Sequence, residues 1–237
     1  LLYTINDSKT AITITNSDFY STAIAIPEKI NGIPVTTIAQ GAFSGRTNLK
    51  QVSIPDSVTS IDSSAFEYCK NISRIVLPKN LQTIGCFAFE GCTNLEYINI
   101  PNNVTLIDAY AFSYCSNLSY ITIPDSVMTV GFGAFDYCTN LKNVSIGKGV
   151  KKFGVSPFDD TNVIPDGVFF NCNNLSYISV DAENKVYCSL EGNLFNKNKT
   201  ELLQYARGRL NTEYSIPASV IKIHSSAFNN STNLRNI

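Results

Sequence analysis

Tryptophan is absent, and methionine and histidine each occur once in 237 residues. With His224 as the lone imidazole, a histidine-rich metal site or a catalytic triad lacks the partners it needs. No apolar run approaches the ~20 residues of a membrane-spanning helix, and no glycine-rich loop is built to cradle phosphate. Charge is scarce and balanced, with 18 basic against 19 acidic side chains and a formal net charge of -1. That balance gives no reason to expect nucleic acid or an anionic membrane as partner. The chain has seven cysteines but no C-x-x-C pair, so neither a redox motif nor a zinc knuckle is signalled. What is plentiful is apolar surface, at 44% of residues, too much for disorder and enough for a continuous core. The chain opens on Leu1 without a methionine or signal-like segment, as expected of a mature or trimmed piece.

Those apolar residues repeat. Pro55, Pro78, Pro101 and Pro124 stand 23 residues apart, as do Phe43, Phe66, Phe89, Phe112 and Phe135, and Cys69, Cys92, Cys115 and Cys138. Three interlocked ladders in one register identify a repeat architecture. From Leu95 one unit reads LEYINIPNNVTLIDAYAFSYCSN. Its L-x-x-I-x-I segment ends in the alternation of a half-buried strand, and the proline, which cannot donate to a sheet ladder, stops that strand in each coil. The following V-x-x-I crosses the core, and Ala-Phe-x-x-Cys reads as one helical or 3₁₀ turn. No 23-residue unit can bury so many apolar groups alone. Coils stacked ~4.8 Å apart can. The expected fold is therefore a leucine-rich-repeat solenoid with a parallel β-sheet on one face and short turns or short strands on the other.

Two units are long. Between Val150 and Ile164, normally three apart, lie eleven extra residues that include Phe158, Asp159 and Asp160. A second excursion holds two strand-like runs around Asn196-Lys197-Asn198-Lys199 and reads as a hairpin. The opening LLYTINDSKTAITITN reads as another hairpin, around Asp7-Ser8-Lys9. The expected organisation is a cap over residues 1–22 and a solenoid over 23–237, with insertions at 153–163 and 181–214. Because Ile237 ends inside a strand, the native chain is expected to continue.

The stretches IPDSVTSIDSSAFEYCKNI, LPKNLQTIGCFAFEGCTNL, IPNNVTLIDAYAFSYCSNL and IPDSVMTVGFGAFDYCTNL resemble the BspA-like leucine-rich repeat family, and the resemblance runs from Ile26 to Ile237. It implies a secreted or cell-surface protein of a microbe or protist that attaches to host proteins or to other cells.

Candidate residues follow from position in the repeat. In L-x-x-I-x-I the third and fifth residues point out of the sheet, which presents Arg74, Tyr97, Asn99, Tyr120, Thr122, Asn143 and Tyr177. Tyr97 and Tyr120 become stacked neighbours beside Arg74, and Tyr and Arg are enriched at binding hot spots. Tyrosine also favours strands without any ligand, which is the bland alternative. Phe158, Asp159 and Asp160 form a secondary candidate, since loops on rigid scaffolds often carry binding. Two adjacent carboxylates fall short of a calcium site. The Cys ladder, continued by Cys172, reads as buried small-residue packing, leaving Cys86 and Cys188 as the more reactive thiols. The Asn ladder (Asn48, Asn71, Asn94, Asn117, Asn140, Asn174, Asn233) reads as capping at the turn into the sheet. His224 occupies a position held elsewhere by Asp62, Gly85, Asp108 and Gly131, and reads as an exposed surface residue.

The expected function is a non-catalytic recognition module without cofactor or metal. It is expected to be monomeric, with no membrane insertion, and to bind an extracellular-matrix or cell-surface protein. A carbohydrate-binding module and a structural spacer displaying another domain are the alternatives.

Overall fold

The computed structural model describes residues 1–18, 20–155 and 167–237. Its coils stack at the 23-residue period, and each contributes to three sides of a prism. The first side is the sheet face, from the end of L-x-x-I-x-I. Here Tyr120–Ile123, Asn143–Ile146 and Tyr177–Val180 pair in parallel, Ala23–Ala25 pairs with Gln51–Ser53, and single bridges Ser53↔Val76 and Arg74↔Tyr97 extend the column between them. The second side is the V-x-x-I column, a ladder of short parallel strands through Ile33–Ile38, Ser60–Ile61, Thr83–Ile84, Leu106–Ile107, Thr129–Gly131 and Lys152–Val155.

The third side is made of turns. The expected helical turn is a single i→i+3 bond per coil, such as Cys115 N to Phe112 O at 3.2 Å. Backbone bonds then tie coil to coil, from Phe66 N to Ala88 O and from Phe89 N to Ala111 O, both 2.8 Å. Each proline closes its own turn with its carbonyl, as Pro101 does by accepting from Val104 N at 3.1 Å.

The ladders fill the prism. Phe43, Phe66, Phe89, Phe112, Phe135 and Phe169 are buried, and successive rings stack 5.1 to 5.7 Å apart within 15° of parallel. Each such contact is worth about 0.5–1.5 kcal/mol beyond area burial. Cys69, Cys92, Cys115, Cys138 and Cys172 are free and buried, and each thiol donates to the carbonyl of a phenylalanine one coil back at 3.0 to 3.2 Å. Burial pushes the Cys69 thiol up to about 12 and those of Cys92, Cys115 and Cys138 in the same direction. The ladder is packing.

The amino-terminal hairpin pairs Leu2–Ile5 with Ile12–Asn16 and lays the latter in parallel on Ile33–Ile38, burying Ile12 and Ile14. The first insertion enters at a different place from the sequence reading. Phe153 pairs with Val130, so it fills the isoleucine column expected of Ile164, which lies outside the described residues. Phe153 and Phe169 are sixteen residues apart where Val130 and Phe135 are five, so the extra length falls in sequence between those two phenylalanines.

The second insertion is a three-strand meander. Asn193–Asn196 and Glu201–Gln204 form the expected hairpin, and Tyr187–Leu190 adds another through Glu191-Gly192, both at positive φ (50° and 70°). Such a two-residue pair suits the twist of a tight hairpin. Glu201–Gln204 rejoins the solenoid by pairing in parallel with Lys222–Ile223, over a second small core of Phe195, Leu202, Tyr205, Tyr214 and Ala227.

Candidate functional site

The sheet face carries its outward side chains on rigid coils. Arg74 and Tyr97 are bridge partners, and the Tyr97 and Tyr120 rings lie 5.1 Å apart, tilted by 33°. Tyr120 pairs with Asn143, Asn143 with Tyr177, and Thr122 with Ser145. Tyr177 therefore stands two coils beyond Tyr120, with Asn143 between them. All seven residues of the sequence-derived face fall on this one surface, and Tyr120 and Tyr177 are half exposed (46% and 50%).

Sequence reasoning passed over Val76, which is 69% exposed in the same surface. Its signal was an apolar residue at an outward strand position otherwise held by small polar groups. Val76 helps line a depression of about 260 Å³ with Arg74, Tyr97 and Asn99. A second depression, of about 370 Å³, follows the lower edge of the sheet along Thr122, Asp125, Ser145, Ser179 and Asp181. The face is thus shallow, with an Arg–Tyr–Tyr centre on a floor of small hydroxyls and amides. It can stack and hydrogen-bond. Among the described residues, no three His, Cys, Asp or Glu side chains are grouped to hold a metal. Phe158, Asp159 and Asp160 lie outside the described residues.

Three other readings change. His224 is buried rather than exposed (8%), because the second insertion brings Glu201 alongside it. The ring Nε2 sits 2.8 Å from Glu201 Oε2, and that hydrogen bond is the largest influence holding the Glu201 carboxyl below its usual range. Cys86 and Cys188 are half-buried. Desolvation pushes Cys86 up to about 11 and Cys188 in the same direction, so neither is an activated thiol. The Asn ladder does cap, but from the surface: Asn71 Nδ2 donates to Thr47 O, Asn174 Nδ2 to Thr139 O, and Asn94 Nδ2 to Asn71 Oδ1.

No helix among the described residues is long and apolar enough to cross a membrane. The BspA type leucine rich repeat region matches the chain in six copies, over residues 36–164 and 205–237. No curated protein sequence matches it. Among solved structures, the Treponema pallidum leucine rich repeat protein (T. pallidum TpLRR) is 34% identical with a TM-score of 0.66, over 75% of this chain and 78% of that one. A leucine rich cell surface protein of Faecalibacterium prausnitzii superposes with a TM-score of 0.67 at 24% identity, over 99% of this chain and 73% of that one. The pneumococcal vaccine antigen PcpA does so at 0.61 and 19% identity, over 98% and 61%. At those last two identities the likeness shows the fold alone. The family match and the 34% identical structure together place this chain in the BspA type leucine-rich-repeat family.

Proposed function

We propose that the chain is a non-catalytic recognition module, displayed at a cell surface, whose sheet face binds an extracellular-matrix or cell-surface protein. The observation that carries the reading is the Arg74–Tyr97–Tyr120 row, with two rings 5.1 Å apart on a stacked scaffold that pays little entropy to present them. Tyr and Arg supply large, rigid contact area on a face that is otherwise small and polar. The similar F. prausnitzii protein is a cell surface protein, which supports the location.

The test is capture of matrix and cell-surface proteins by the wild-type chain and by the double variant Tyr97→Ala/Tyr120→Ala. Saturable binding that weakens at least tenfold in the variant, or about 1.4 kcal/mol or more, is the expected result, with the thermal midpoint held within a few degrees. Equal affinity in a folded double variant removes the sheet face as the site.

A further inference from the structure

The turn side has an organisation of its own. Backbone bonds from Gly45 N to Glu67 O, Tyr68 N to Glu90 O, Gly91 N to Ser113 O and Tyr114 N to Asp136 O align Ser44, Glu67, Glu90, Ser113 and Asp136 in one row across five coils. Among the described residues none of the three carboxylates is in an ion pair. No lysine or arginine stands in this row, or in the rows flanking it, from Ser44 to Phe170.

Aromatic rings wall the row on both sides. On one side are Tyr68, Tyr114 and Tyr137, exposed by 45%, 45% and 38%, with the last two stacked at 4.4 Å. On the other, Phe87 stacks on Tyr110 at 5.0 Å, and Phe132 meets Tyr110 edge-on at 5.5 Å. The three tyrosines adopt left-handed φ values of 54° to 57° in a row where other coils place Gly45, Gly91, Asn171 and Asn230. A bulky L-residue is strained there, because its Cβ crowds the following carbonyl.

Within the row Ser113 is 1% exposed, and its Oγ has no hydrogen-bond partner although it stands between two acidic side chains. At the far end the row opens into a pocket of about 420 Å³ lined by Tyr110, Phe132, Asp136 and Phe170 with Ser225 and Ser226. The pocket exists because one coil is short on this side. Leu202 and Tyr205 are three residues apart where Ile223 and Phe228 are five, and Asn230 reaches past that coil to donate to Asn171 Oδ1 at 2.6 Å.

The Glu67 and Glu90 carboxylates, in no ion pair among the described residues and set between aromatic faces, fit an organic cation, held by charge and by the ring quadrupoles. A metal ion fits poorly, since among the described residues no third ligand is grouped with them. Arg207, buried with no hydrogen bond to its guanidinium, lies close enough to Asp136 to share its charge. The Glu67–Glu90 pair is therefore the principal anchor and Asp136 the distal one. Two coil steps of 5.3 and 5.5 Å between the phenylalanine rings separate Glu90 from Asp136, which calls for a chain bearing several cations rather than one small amine. We propose that this aromatic-walled carboxylate row is a second recognition site, separate from the sheet face, that takes lysine side chains of a partner polypeptide.

A fluorescent hexalysine peptide, titrated at low ionic strength, tests it. Glu67→Gln/Glu90→Gln is expected to weaken binding about tenfold, and Tyr68→Leu/Tyr110→Leu about threefold through lost cation–π attraction. The charge-matched control Asp56→Asn/Glu183→Gln, on exposed carboxylates elsewhere, is expected to change it less than about twofold. The titration repeated at pH 6 and pH 8 is expected to favour pH 8, because Glu90 is pushed up to about 7 by burial and by Glu67 and must ionise to hold a cation. The titratable groups that Glu90 in turn pushes up are Tyr68, Cys86, Tyr110, Tyr114 and Cys115. Equal losses in the two carboxamide pairs indicate diffuse attraction and overturn the site. Binding of spermine as tight as that of hexalysine overturns the polypeptide as its occupant. The Tyr97→Ala/Tyr120→Ala variant is expected to bind the peptide like wild type, so this proposal and the sheet-face reading fail independently.

Discussion

At the scale of single residues, the stack explains an alternation that composition alone makes look like noise. The position after V-x-x-I reads Asp62, Gly85, Asp108, Gly131 in successive coils. A Cβ on Gly85 would lie 2.7 Å from the backbone of Asp62 and Ser63, and one on Gly131 would crowd Asp108 and Ala109 in the same way. The obstacle is backbone and cannot rotate aside, so Gly85→Ala is expected to cost about 3 kcal/mol, at the upper end for overpacking. Gly45→Ala provides the contrast, since its φ is +70° but nothing lies within 4 Å of the added carbon. Left-handed strain alone sets its cost at about 1 kcal/mol. Urea unfolding of both variants checks the ranking, and equal costs would show that the coils separate to admit the methyl. The alternation is readable in the sequence, but its cause is not, because it depends on which neighbour lies one coil away.

At the scale of elements, the entry to the second insertion is tied to the preceding coil through the Asn184 side chain. Asn184 is fully buried; its Nδ2 donates to Gly147 O and Val150 O at 3.0 and 3.1 Å, and its Oδ1 accepts from Val186 N and Tyr187 N at 2.9 and 2.8 Å. All four capacities of the amide are used, two on the preceding coil and two at the entry to the meander. Asn184→Ala leaves those backbone groups unpaired in the interior and is expected to cost about 2–4 kcal/mol. Amide exchange should accelerate first across Tyr187–Gln204, and uniform acceleration along the whole chain would mean that the insertion has no local stability of its own. The 23-residue ladders were legible beforehand because every coil meets the same neighbours, so one packing rule prints itself repeatedly. The insertions were legible only in part. Asn196 to Lys199 announce a turn by composition, whereas Glu191-Gly192 interrupts a run that reads as one strand. Phe153 substitutes for isoleucine without warning, and His224 looked exposed because its partner Glu201 sits in the irregular element rather than in the repeat. The outward sheet residues were legible from alternation; the turn-side row was not, since an x position between ladder residues carries no sign of burial until the coils are stacked.

At the scale of the whole molecule, the carboxylate row gives stability a pH dependence opposite to that of ordinary ion-paired carboxylates. Burial pushes Glu90 from 4.5 up to about 7 and Asp136 from 3.8 up to about 6. Between those ordinary and raised values the folded chain binds more protons than the unfolded one, so stability falls as pH rises toward and through 7. The carboxylates held low, Glu201 by His224 and Asp56 by Lys79, act with the opposite sign, but only once pH drops below their ordinary values near 4. In the window from pH 5 to 8 the raised groups therefore decide the slope. The thermal midpoint is expected to be higher at pH 5.5 than at pH 8. Glu90→Gln, which keeps the shape of the protonated acid, is expected to raise stability at pH 8 by the order of 1 kcal/mol, a figure discounted for the partly solvated carboxyl, and to flatten the profile. Differential scanning calorimetry of both proteins at the two pH values decides, and a wild-type midpoint higher at pH 8 would show that the row is better solvated than its packing implies. If the expected slope holds, the molecule carries two like-charged groups that cost it stability at neutral pH. Such a cost is tolerated where a surface is kept for binding rather than for folding. A cationic partner would relieve it, so the same calorimetry with hexalysine present should show a larger rise in midpoint at pH 8 than at pH 5.5.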